Sequence, residues 1–85
     1  MNCSNVQDQN AIGCLAGHLL AAKLNVANGA DGCIGPTIAA ADAFLKTIGY
    51  SGPTGSYPTL TATQRSTAVG LKNTLDQYNN NISCP

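Results

Sequence analysis

The sequence has no Trp, no Glu, a single Phe (Phe44) and three Tyr in 85 residues. A core built from it must therefore be aliphatic and alanine-rich. Charge is scarce too. Charged residues make up 9% of the chain, against about 25% in typical globular proteins. The bases are Lys23, Lys46, Arg65 and Lys72, the acids Asp8, Asp31, Asp42 and Asp76, and the net charge is zero. With no basic cluster, nucleic acid and anionic membrane surfaces are excluded as expected partners. No run approaches the ~18 apolar residues of a membrane span. The outer surface must be Asn, Thr, Ser, Gln and Gly, which suits an extracellular protein or a subunit packed against others.

What the chain does have is four cysteines, Cys3, Cys14, Cys33 and Cys84. A chain this short is one domain and buries only about 60–65% of its unfolded surface, so its core is marginal and benefits from staples. Four Cys without CxxC spacing read as two disulfides and an oxidising compartment. The competing reading is four buried free thiols. The expected localisation is secreted or cell surface. No leader pattern is legible, so mature material is expected, to which Met1 need not belong.

Residues 11–29, AIGCLAGHLLAAKLNVANG, carry the clearest long helical pattern. Ile12, Leu15, Leu19, Ala22 and Val26 form a stripe at spacings of three and four. Ala16, Leu20, Leu24 and Ala27 widen it. A helix this apolar needs partners on more than one side. Residues 1–9 lack a period and read as an N-terminal arm, with Asn10 as N-cap. Gly13 and Gly17 suggest close backbone approach. The first helix is expected over 11–28, ended by Asn28-Gly29 in a left-handed cap.

A turn at 30–35 leads to a second helix over 36–48. Pro36 suits its first turn. Ile38, Ala41, Phe44, Leu45 and Ile48 form its apolar face, Asp42 and Lys46 can pair, and Gly49 ends it. The loop 50–60 holds two Gly, two Pro, Tyr50 and Tyr57. Long loops are frequent sites of function, so Tyr50 and Tyr57 are candidate interaction residues; the plainer reading has both rings covering the core. The third helix, 61–80, opens on a capping box, Thr61 to Gln64. Gln64, Ala68, Leu71, Leu75, Tyr78 and Ile82 follow at helical spacing, and Asn79-Asn80-Asn81 suits its end.

The expected fold is therefore all-α, a three-helix up-down-up bundle. Leu19, Leu24, Phe44, Leu71 and Leu75 should be buried. The first helix is about 27 Å long, and bridged cysteines need Cα atoms within about 7 Å. Cys14 and Cys33, at opposite ends of that helix, are thus poor partners. Cys84 arrives at the end where Cys33 lies. The expected pairs are Cys3–Cys14 and Cys33–Cys84.

Catalytic signals are few. Cys14 and His18 are four apart and could share a helix face, but no second His and no clustered acid completes a zinc set or orients the His for a nucleophile. Residues 28–34 fail as a calcium loop, since Ala27 and Gly29 would fall at ligand positions. Asn2-Cys3-Ser4 and Asn81-Ile82-Ser83 match glycosylation sequons. No metal, cofactor or catalytic residue is expected.

HLLAAKLNVANGA (18–30), IAAADAFL (38–45) and LDQYNN (75–80) resemble, in order, the helices of a group of uncharacterised secreted and surface-exposed bacterial proteins with an AAKLNxANGA motif. Asn81 stands where the last motif has Gly. The resemblance covers about residues 14–81 and implies surface location without a catalytic set. The functional expectation is a non-enzymatic structural or interaction module, self-assembling or docked on another surface protein. The alternative is a small carrier of an apolar ligand, with its cavity under the Tyr50–Tyr57 loop. A small enzyme comes third.

Overall fold

The structure, a computed structural model, describes residues 8–50, 59–81 and 84. Three α-helices follow one another: α1 (Asp8–Ala27), α2 (Gly35–Thr47) and α3 (Ala62–Asn81). No strand occurs among the described residues. The Cα radius of gyration is 12.2 Å, close to the ~12 Å of a compact chain of this length.

The helix ends follow from local chemistry. At the end of α1, Ala30 N–H donates to the Asn25 carbonyl at 2.9 Å and Gly29 N–H to that of Val26 at 3.0 Å. Gly29 has φ 96°. This is a Schellman cap, and it needs a residue tolerant of the left-handed region. The end of α2 repeats it: Tyr50 N–H reaches Leu45 at 3.0 Å, Gly49 N–H reaches Lys46 at 3.1 Å, and Gly49 has φ 79°. At the start of α3 the capping box closes both ways. Thr61 N–H donates to Gln64 Oε1 at 3.0 Å, and Gln64 N–H to Thr61 Oγ1 at 3.1 Å. Between α1 and α2 lies a short 3-10 turn, Gly32–Ile34. The Asp31 carboxylate caps it by accepting from Cys33 N–H at 3.0 Å. Pro36 sits in the first turn of α2, as expected.

Two boundaries differ from the expectation. α1 begins at Asp8, so Asn10 lies within the helix and is not its N-cap. Residues 1–7 of the expected arm lie outside the described residues. α3 runs through Asn81, so the three asparagines form its last turn. Asn is a weaker helix former than Ala or Leu, but tertiary bonds to Asn79, described below, hold this turn in place.

α1 and α3 form the main packing layer, and α2 covers both. Ile12, Leu15, Ala22, Ala41, Ala68, Leu75 and Tyr78 are buried at 0%, with Leu19, Leu45, Ile34 and Leu60 nearly so. Two of these, Ile34 and Leu60, belong to connections rather than helices, and helical periodicity does not find them.

The expected core needs one correction. Leu19 and Leu75 are buried, and Phe44 and Leu71 are half-buried against the core, but Leu24 is 55% exposed. Leu20 is 60% exposed. At about 100° per residue, Leu20 and Leu24 lie roughly 120° and 160° around α1 from the centre of its buried stripe. The stripe found its partners; of the residues that widened it, Ala16 packs against the core, whereas Leu20, Leu24 and Ala27 are exposed.

A second correction concerns Asp42. Its partner is Lys23 of α1, with Nζ 2.9 Å from Oδ1, rather than Lys46 one turn along its own helix. Packing of α2 on α1 brings Lys23 to it. Both side chains are about half exposed, so the pair stabilises by less than about 1 kcal/mol.

Candidate functional site

Cys33 and Cys84 form a disulfide with Cα atoms 6.2 Å apart, as expected from the sequence. Both residues are exposed. Cys14 is 2% exposed and is not a free thiol. Its expected partner, Cys3, lies outside the described residues. The reading of four free thiols is overturned by the Cys33–Cys84 bond.

Tyr78 reinforces the same end of the molecule. Its ring is fully buried, and its hydroxyl donates to the Asp31 carbonyl at 2.6 Å. A buried Tyr hydroxyl needs such a partner, and the turn after α1 supplies it. The next residue of α3, Asn79, works as a two-way bridge. Its Nδ2 donates to the His18 carbonyl at 3.0 Å, and its Oδ1 accepts from Asn25 Nδ2 at 2.9 Å. His18 Nδ1 stands 3.9 Å from Asp76 Oδ1, an oxygen that also accepts from Asn80 Nδ2 at 3.2 Å. His18 thus faces α3 rather than completing a metal set with Cys14. Among the described residues no group of three or more His, Cys, Asp or Glu is placed to hold a metal ion.

The candidate loop residues are only partly placed. Tyr50 is half-buried and packs against the core, in agreement with the covering role. Tyr57 lies outside the described residues. The sequons include Asn2 and Ile82, which also lie outside them; Asn81 is exposed. A shallow open groove of about 480 Å³ runs along the first half of α3, lined by Ala62, Arg65, Ser66, Val69, Gly70 and Asn73. Tyr50 takes no part in it. No helix among the described residues is long and apolar enough to cross a membrane.

The remaining feature with chemical consequence is the outer face of α1. Leu20 and Leu24, one turn apart, project to solvent on the side away from the core. Lys23, between them in the chain, is engaged with Asp42 of α2. The sequence marks both leucines as apolar helix positions, and of the two only Leu24 is expected in the core. Their place on a second face was implicit in their angular offset.

Compared with protein-family models, curated proteins and solved structures, the chain finds no match.

Proposed function

We propose that the chain is a non-enzymatic interaction module of a secreted or cell-surface protein, and that it self-assembles through the outer face of α1. The observation that carries this is the exposure of Leu20 and Leu24. The sequence of α1 asks for partners on two sides, and α2 and α3 occupy only one. Burying a Leu side chain stabilises by about 1.5–3 kcal/mol, so leaving two of them in water disfavours the isolated chain. The exposed Cys33–Cys84 bridge agrees with an oxidising, extracellular setting. So does the AAKLNVANGA resemblance.

The up-down-up course of the helices belongs to this reading. Lys23 pairing with Asp42 supports an α2 antiparallel to α1, since α2 begins just after α1 ends. Asp76 and Asn79 against His18 and Asn25 support an α3 parallel to α1, as does Cys33 meeting Cys84. The Cys3–Cys14 pairing is the complement of that arrangement.

Sedimentation over a wide concentration range tests the assembly. The chain should gain mass with concentration. A Leu20→Gln/Leu24→Gln variant should stay monomeric with unchanged helicity. A chain that remains a monomer throughout removes self-assembly. A variant that assembles as the parent does moves the contact elsewhere.

A further inference from the structure

The Cys33–Cys84 bridge is exposed. Cys33 and Cys84 both lie at the surface, and neither belongs to the hydrophobic core. Thiol–disulfide exchange needs a thiolate to reach a sulfur, which a bridge at the surface allows. We infer that Cys33–Cys84 is a redox clasp, opened and closed by small thiols while the helices stay packed, and that its two sulfurs are a site of exchange with outside thiols.

The step balances simply. A thiolate attacks one sulfur of the bridge and the Cys33–Cys84 bond breaks. The other cysteine leaves as a thiolate and takes a proton from water. A second thiolate then resolves the mixed disulfide. Two outside thiols are oxidised to one disulfide, and the bridge is reduced to two cysteines. If the outside thiol belongs to another protein, the mixed disulfide itself is a covalent link.

The surroundings of the clasp explain why the bundle survives its opening. The segments it joins are held by other contacts as well. Ile34, next to Cys33, is 1% exposed in the core. Tyr78 donates to Asp31, two residues before Cys33, at 2.6 Å. Asn79 bonds to both His18 and Asn25. Each of these ties α3 or the turn to the rest of the molecule without the sulfur bond. Opening the clasp frees Cys84 from the turn and leaves the α1–α3 layer in place.

The test is graded reduction of the folded, oxidised chain with dithiothreitol, quenched by iodoacetamide and read by peptide mass spectrometry. Far-UV circular dichroism is recorded on the same samples. Cys33 and Cys84 should be alkylated together with ellipticity retained. Labelling of Cys33 and Cys84 that only follows the loss of ellipticity would show that the bridge opens through unfolding, and that result overturns the clasp. A Cys33→Ser/Cys84→Ser variant provides an independent check. Its far-UV spectrum should match the parent's at 25 °C, and a coil spectrum would make the bridge a requirement for folding rather than a switch.

Discussion

The Tyr78 hydroxyl and the Asp31 carbonyl, 47 residues apart in the chain, meet at 2.6 Å. The bond joins the last turns of α3 to the turn that follows α1. The Cys33–Cys84 bridge ties the same turn covalently to a residue just beyond the end of α3. The covalent and non-covalent ties are separable by mutation, because the Tyr78 ring fills the core whether or not its hydroxyl is present.

Tyr78→Phe keeps the buried ring and removes only the donor. The Asp31 carbonyl belongs to an exposed residue, so water can replace the lost bond. The expected loss is about 0.5–1.5 kcal/mol in urea melts. Tyr78→Ala also empties the core position and should cost about 3–5 kcal/mol. Equal losses for the two variants would mean that the ring contributes little, which its full burial does not allow.

Much of this fold is legible in local chemistry. Gly29, Gly49, Pro36 and the Thr61–Gln64 box each mark a helix end where the structure has one, because a cap is decided by a few neighbouring residues. The Cys33–Cys84 pairing is legible from helix length taken together with the expected up-down-up order. What depends on a distant partner is not. Periodicity shows that Leu20 and Leu24 sit on an apolar face of α1, but not that α2 and α3 pack on the other one. Ile34 and Leu60 lie in connections, where no period announces burial. Asn79 looks like part of a terminating asparagine run, and only the register of α3 against α1 makes it a bridge to His18 and Asn25. The outer face of α1 was similarly hidden, since its residue types are those of a core.

The corrected core changes the expected order of substitutions. Leu75 is fully buried, Phe44 is half-buried and Leu24 is 55% exposed. Leu75→Ala should cost about 2–5 kcal/mol, through lost burial and the cavity left behind. Phe44→Ala falls below the ~3–5 kcal/mol of a fully buried ring, since part of that ring is already in water. Leu24→Ala should stay within about 0.5 kcal/mol at low concentration, as for an ordinary surface substitution. Denaturant melts at low concentration give the ranking. A Leu24→Ala loss as large as that of Leu75→Ala would place Leu24 inside the bundle and remove the outer face of α1 as a docking surface.

The two Schellman caps give a sharper test of backbone against packing. Gly29 has φ 96°, and a methyl group added there would meet nothing within 4 Å. Gly49 has φ 79° and equally open surroundings. A substitution at either position therefore reports the cost of the left-handed backbone alone. Gly29→Ala and Gly49→Ala should each destabilise by about 1–2 kcal/mol. Gly29→Asn should cost less, because the short polar side chain of Asn tolerates this conformation. The whole of α2 (Gly35–Thr47) lies between the two sites, and they share no cap bond, so their effects should add within about 0.5 kcal/mol in a double variant. Thermal and urea melts of the four variants settle the order. If Ala and Asn at position 29 prove equally costly, steric strain at positive φ is not what limits the cap. If Gly29→Ala is neutral, the end of α1 has a second conformation of similar energy. The Ala30 to Asn25 hydrogen bond would then contribute nothing to holding the turn that carries Asp31 and Cys33.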